Sequence, residues 1–188
     1  MGRPAASAHP LDGPLAAAAL GEAWALRLLY DTLAPKVVGY LRGRGASEPE
    51  DLASDVFLTV FGRLASVTGG GAGLSTFTFS VAHARLVDDF RRRSRSPVTV
   101  EFDPRIDAGA TASAEDVAAE NLGNAAVLAL LDRLPDSQRE VLLLRVVADL
   151  TVEQVAAAIG RSEGAVKQLQ RRALEALRGL VSAAGVPL

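Results

Sequence analysis

The chain has 188 residues, 49% of them hydrophobic and 22% charged, with a formal net charge of −2. That is the composition of one ordinary globular domain or two small ones. With no cysteine and only His9 and His83 as histidines, a disulfide framework, a thiol nucleophile and a cysteine zinc site are excluded, and little is left for a metal centre or a catalytic triad.

In chain order, residues 1–14 are rich in Pro, Gly, Ala and Ser without periodicity and read as a disordered tail. Residues 15–95 carry a helical pattern almost throughout and form a first domain. Trp24, Leu28 and Leu29 share a face, and Val37, Val38, Tyr40 and Leu41 resume the pattern after Pro35. Gly43-Arg44-Gly45 reads as a stop. Ser47-Glu48-Pro49-Glu50 has the form of a capping box with proline in the first turn. The helix it opens places Leu52, Val56, Val60 and Leu64 on one stripe, with Ala53, Phe57 and Phe61 beside it. Thr68 to Gly73 is a glycine-rich loop that lacks the Lys-Ser/Thr ending and the preceding strand of a phosphate-binding P-loop. A helix is expected from Ser75 to about Arg93, buried along Phe79, Ala82, Leu86 and Phe90.

Residues 96–124 hold six acidic residues against one arginine, with Pro97 and Pro104, and read as an acidic flexible linker. Residues 125–182 form a second helical domain, followed by a tail at 183–188. Leu128, Leu131 and Leu134 lead to Pro135, the first-turn proline of a helix ending near Val147. Thr151-Val152-Glu153-Gln154 is a capping box opening a helix with Val152, Val155, Ala156 and Ile159 on one face. Gly160 ends it and Ser162 caps the next helix, which buries Val166, Leu169, Ala173, Leu177 and Leu180. The fold class is all-α, two small helical domains.

Charge sign organises this chain. Five arginines lie between Arg85 and Arg95 and five basic residues between Arg161 and Arg178, whereas acidic residues gather at Glu48–Asp55 and Glu101–Glu120. The last two helices have the spacing of a helix-turn-helix, whose second helix enters the major groove. Its face opposite Val166 and Ala173 shows Gly164, Lys167, Gln168, Arg171, Arg172 and Glu175. Gln168 has the chemistry to pair with adenine, and Lys167 or Arg171 with guanine; the alternative is a helical hairpin with a solvated basic face. In the first domain, Phe77 and Phe79 precede Arg85, Arg91, Arg92 and Arg93 on one helix, aromatic stacking groups beside phosphate-binding cations. Phe79 suits the core, and Phe77 suits either role. Asp51 and Asp55, one turn apart near Glu48 and Glu50, suit a basic protein partner or a helix N-terminus better than acid–base or metal chemistry.

Taken together these segments resemble the bacterial sigma factors of the sigma-70 family. Glu50-Asp51-Leu52-Ala53-Ser54-Asp55-Val56-Phe57-Leu58 is similar to their signature helix, and Phe77 to Asp88 to their promoter-melting helix. Leu134-Pro135-Asp136-Ser137-Gln138-Arg139-Glu140-Val141, with Gly164-Ala165-Val166-Lys167, resembles their C-terminal helix-turn-helix. Two domains and a short acidic linker follow the plan of the extracytoplasmic-function (ECF) group. The resemblance implies a sigma-2-like domain at 15–95 and a sigma-4-like domain at 125–182. It implies docking of Glu50, Asp51, Asp55 and Phe57 on the β′ clamp of core RNA polymerase, with a further contact to the β flap. It implies −10 promoter DNA contacts from Phe77, His83, Ala84, Arg85, Arg91, Arg92 and Arg93. It places −35 contacts at Arg161, Ser162, Gly164, Lys167, Gln168, Arg171 and Arg172. It further implies no catalytic role, cofactor or metal, no membrane insertion, and control by a separate anti-sigma protein. The chain departs from the family's usual residues at Ser54, Phe77 and Ala84.

The rivals are a conventional helix-turn-helix regulator with a helical sensing domain, a helical enzyme using Asp51, Asp55 and His83, and an adaptor or anti-sigma protein. No run approaches the ~20 apolar residues of a membrane span. The N-terminus carries no signal-peptide pattern, so a soluble cytoplasmic protein is expected.

Overall fold

The computed structural model describes residues 9–95 and 129–183, and all regular structure among them is helical. Among these residues the helices with both ends described are α1 (Asp12–Ala19), α2 (Ala23–Gly43), α3 (Pro49–Phe61), α4 (Gly70–Arg95), α5 (Asp136–Val146), α6 (Val152–Ile159) and α7 (Glu163–Ala183), with a 3-10 turn at Leu64–Ser66 and a further helical stretch at 129–132. The expected acidic linker at 96–124 lies outside the described residues. Among those residues, no helix is long and apolar enough to cross a membrane.

Helices α1 to α4 form one bundle. Its centre is α2, which buries Ala25, Leu29, Leu33, Val37, Tyr40 and Leu41 against Val56 and Val60 of α3 and Leu74, Phe79 and Leu86 of α4. Each such large apolar side chain removed from water contributes about 1.5–3 kcal/mol. That burial explains why α2 runs unbroken through Pro35, where a proline costs an isolated helix about 3 kcal/mol. Tyr40 and Phe79, both fully buried, meet edge to face with ring centroids 5.8 Å apart.

The first fourteen residues are not all tail. Leu11, Leu15 and Ala18 are buried in the bundle, a narrow stripe hidden in an alanine-rich run. The Asp12 carboxylate accepts the backbone N–H of Gly71 at 2.7 Å and that of His9 at 2.7 Å. Those backbone hydrogen bonds, Gly71 first, hold its carboxyl below the ordinary range. Asp12 thereby caps α4 from another element, so α4 begins at Gly70 and the expected glycine loop supplies its first turn. Glycine is required there: a Cβ on Gly73 would lie 1.8 Å from the Thr68 carbonyl oxygen. At α3 the expected Ser47 capping box is absent; Glu48 is the N-cap, no side chain caps the helix, and Pro49 alone starts it.

Helices α5 to α7 form the second domain around Val141, Leu144, Leu150, Val155, Val166 and Ala173. Its capping box forms: Thr151 Oγ1 accepts the Gln154 N–H at 3.2 Å and Gln154 Oε1 accepts the Thr151 N–H at 2.8 Å. Gly160 closes α6 in the left-handed conformation at φ 65°. The two domains touch. Leu143 and Val147 of the second domain sit over Gly43 and Gly39 of α2, where an added Cβ would lie 2.7 and 3.0 Å from their side chains. Gln154 also donates through Nε2 to the Ala72 carbonyl at the start of α4, at 3.0 Å.

Candidate nucleic-acid interface and the domain contact

The turn after α6 fixes the direction of α7. Ser162 Oγ accepts the Ala165 N–H at 3.2 Å, so this hydroxyl caps the helix while its own O–H is left to donate. With Val166 and Ala173 fully buried, Arg161, Gly164, Lys167, Gln168, Arg171 and Arg172 are all exposed on the outer side. Lys167 lies 3.4 Å from Glu163 and Arg171 3.9 Å from Glu175, both pairs solvent-exposed and therefore weak. The basic groups are thus available on one side of a helix-turn-helix.

Helix α4 splits its predicted contacts between several surroundings. Phe79 is core, whereas Phe77 is half-buried and lines a cleft of about 940 Å³ with Thr76 and Ser80 from α4 and Gln154 and Ala157 from α6. Ala84 is exposed, and Arg85 donates to Thr59 Oγ1 at 3.0 Å. Arg91, Arg92 and Arg93 are exposed and pair with Asp88 and Asp89 at 3.0–3.6 Å. The Arg93 guanidinium also stands 4.8 Å from the Phe90 ring centroid.

His83 does not stand free. Its Nδ1 lies 2.8 Å from Glu140 Oε1 of α5, and because a carboxylate only accepts, the ring donates. Tyr40 Oη donates to the same oxygen at 3.2 Å, and Arg44 Nε is 3.8 Å from it. Burial pushes the Glu140 carboxyl up, but the His83 hydrogen bond and charge, then Arg44 and Tyr40, hold it below the ordinary 4.5. Burial, reinforced by the Glu140 charge, raises the Tyr40 phenol well above 10.0. Glu140, Tyr40 and Arg44 were not singled out from the sequence. The available signal was one acidic residue directly before Val141-Leu142-Leu143-Leu144, a run buried on more than one side.

On α3, Asp51 and Asp55 are exposed and take part in none of the ion pairs among the described residues. Glu50 is exposed but paired with Arg42. Phe57 is only 3% exposed and packs 4.8 Å from the Tyr30 ring and 5.5 Å from Phe61. The exposed apolar groups near this face are Leu58 and Tyr30. Trp24 and Leu28, expected to share a face with Leu29, are 57% and 44% exposed while Leu29 is buried.

A basic helix-turn-helix in contact with a bundle that carries an arginine-tipped helix defines a two-domain, all-helical protein of the helix-turn-helix class. Residues 29–96 match the sigma-70 region 2 family and residues 130–179 match sigma-70 region 4. The chain is 34% identical over 181 residues to the ECF RNA polymerase sigma factor SigD of Mycobacterium tuberculosis, covering 93% of this chain and 85% of that one. It is 35% identical over 164 residues to the ECF RNA polymerase sigma factor BldN of Streptomyces coelicolor, covering 86% of this chain and 62% of the relative. The fold is that of CnrH, solved in complex with the cytosolic domain of CnrY, with a TM-score of 0.67 at 22% identity over 92% of this chain and 98% of that one. The chain belongs to the ECF group of the sigma-70 family, and it is a promoter-directing sigma factor for RNA polymerase.

Proposed function

We propose that the division of labour within this sigma factor follows its exposed surfaces. The outer side of α7 reads the −35 element through Lys167, Gln168, Arg171 and Arg172, with Arg161, Ser162 and Gly164 close to the phosphates. Helix α4 holds the −10 element, with Phe77 and Ala84 toward unpaired bases and Arg85, Arg91, Arg92 and Arg93 toward the backbone. His83 joins them once it is released from Glu140. Asp51 and Asp55, with Leu58 and Tyr30 beside them, dock on the β′ clamp, Glu50 adding charge and Phe57 supporting the surface from beneath. The second domain also meets the β flap. The chain acts in the cytoplasm as a non-catalytic specificity subunit, needs no cofactor, and is restrained by a separate anti-sigma protein, a reading favoured by the CnrH fold being known in complex with CnrY.

The observation that carries this reading is the polarity of α7: every predicted base- or phosphate-contacting residue is exposed, and the opposite side is sealed by Val166 and Ala173. The polymerase-docking part is tested by binding to core RNA polymerase in solution. Joint substitution Asp51→Ala and Asp55→Ala weakens core binding at least tenfold while the protein stays folded. Unchanged binding assigns the dock to another surface.

A further inference from the structure

The contact between the domains has a chemical asymmetry. Tyr40, Arg44 and His83 all belong to the first domain, and all three converge on one oxygen, Glu140 Oε1, supplied by the second. The Glu140 side chain is 7% exposed and that of Arg44 9%. Arg44 Nη1 also donates to the Asp136 carbonyl at 3.1 Å and lies 3.7 Å from its carboxylate. Arg44 Nε is buried yet makes no hydrogen bond, since Glu140 stops short of it. The first domain therefore contributes only donors at this point and the second only acceptors. It is a donor-lined socket with an acidic plug, and the socket has hydrogen-bonding capacity the plug leaves unused.

The surroundings indicate what else would fit. His83 precedes Ala84 on the proposed −10 helix, and Arg44 and Arg93 flank the Phe90 ring at 5.9 and 4.8 Å. Arg93 further donates to the Gly45 carbonyl, tying the end of α4 to the loop after Arg44. The donors thus continue the arginine strip of Arg91, Arg92 and Arg93, which a nucleic-acid backbone follows. A phosphate presents several acceptor oxygens to such a fork, where a carboxylate in this position reaches Arg44 with only one.

We propose that Tyr40, Arg44 and His83 form a binding site for a backbone phosphate of promoter DNA, and that Glu140 is its internal competitor. In the free protein the carboxylate fills the site and latches the second domain onto the first. Lifting α5 off Gly39 and Gly43 removes the carboxylate and opens the site to DNA. This rests on the proposed −10 role of α4. It adds to it a phosphate site on α2 and a reason for free protein to bind DNA poorly.

The chain has no cysteine, so Ala65→Cys and Gly179→Cys, both at exposed positions, take a fluorescent donor and acceptor for energy transfer between the domains. DNA binding is read by anisotropy of a labelled single-stranded oligonucleotide of mixed sequence, since phosphate contacts do not depend on sequence. Glu140→Gln lowers energy transfer and tightens oligonucleotide binding about tenfold. Gly43→Leu, which opens the contact without touching the site, does the same. Adding Arg44→Ala to either variant leaves energy transfer low, reverses the gain, and reduces the slope of log affinity against log salt by about 0.7, one phosphate on a single strand.

Unchanged energy transfer in Glu140→Gln with a preserved thermal melt overturns the latch. Opening without any Arg44-dependent gain overturns the phosphate site. So does Arg44-dependent binding of a poly-glutamate peptide in place of the oligonucleotide, which would make the socket a site for an acidic protein. Transcription with core polymerase reports on the −10 role separately: an Arg91, Arg92 and Arg93 triple alanine variant that melts promoters normally refutes that role, whatever the socket does.

Discussion

Leu143 lies so close to Gly43 that a Cβ on the glycine would come within 2.7 Å of Leu143 Cδ2, and α2 meets the second domain through that missing side chain. Gly39 repeats the arrangement one turn earlier beneath Val147 at 3.0 Å. Gly39 lies inside α2 and costs it about 0.5–1 kcal/mol relative to alanine, whereas Gly43 is its last residue. Close packing of α5 over them offsets that cost and brings Glu140 within reach of His83.

Gly43→Val should therefore weaken the domain contact while leaving the α2 core intact. The expected loss is about 1–3 kcal/mol, the usual effect of overpacking. Denaturant unfolding followed by the fluorescence of the single tryptophan, Trp24, together with far-ultraviolet circular dichroism, checks it. The two probes coincide in the wild type and separate in the variant as the domains uncouple.

The Thr151 capping box makes a second, local prediction. Thr151→Ala removes the acceptor for the Gln154 N–H and should destabilise the second domain by about 1 kcal/mol. Thr151→Ser retains the oxygen and should restore most of that stability in a thermal melt.

Tyr40→Phe keeps the ring on Phe79 and deletes one hydrogen bond to Glu140. A cost of about 1 kcal/mol is expected. Glu140→Ala should cost more, because it removes both the acceptor of the His83 ring and the opposite charge 3.8 Å from the buried Arg44 guanidinium. Equal losses in chemical denaturation would contradict the geometry.

The Glu140 carboxyl is held below its ordinary 4.5 in the folded chain. A group lowered on folding adds stability above its unfolded value and loses it as pH falls through the folded value. The domain contact should thus hold at neutral pH and weaken in acid below 4.5. Interdomain energy transfer should fall over that range in the wild type, and that acid-dependent fall should be reduced in Glu140→Gln.

At the promoter, Gln168→Ala should cost about 1–3 kcal/mol and relax preference at one −35 base pair. Arg172→Ala should weaken all sequences alike and lower the salt slope on duplex DNA by about 0.9. Footprinting of polymerase complexes on a set of −35 variants distinguishes the two behaviours.

Features specified by neighbours in sequence were legible in advance. Thr151, Gln154, Gly160 and Ser162 state the helix-turn-helix locally, and the exposed side of α7 follows from the spacing of Val166 and Ala173. The Leu52, Val56 and Val60 stripe likewise places Asp51 and Asp55 on the outside of α3. What escaped depends on distant partners. Helix α1 is held by an Asp12 carboxylate that caps α4 fifty-nine residues away, and α2 survives Pro35 because its stripe is buried. Phe57 lies beside acidic residues in sequence yet turns toward Tyr30. Trp24 and Leu28 are large and apolar yet exposed. Glu140 is buried by α2 and α4, and nothing near it in sequence specifies its partners Tyr40 and His83.

The decisive experiment on promoter-directed initiation is run-off transcription with bacterial core RNA polymerase on the DNA upstream of this chain's own coding region, with and without the protein. A start-site-specific transcript that requires the protein and disappears with Asp51→Ala and Asp55→Ala is expected. Tight binding of the protein alone to that DNA, with no transcript and no association with core polymerase, would contradict it.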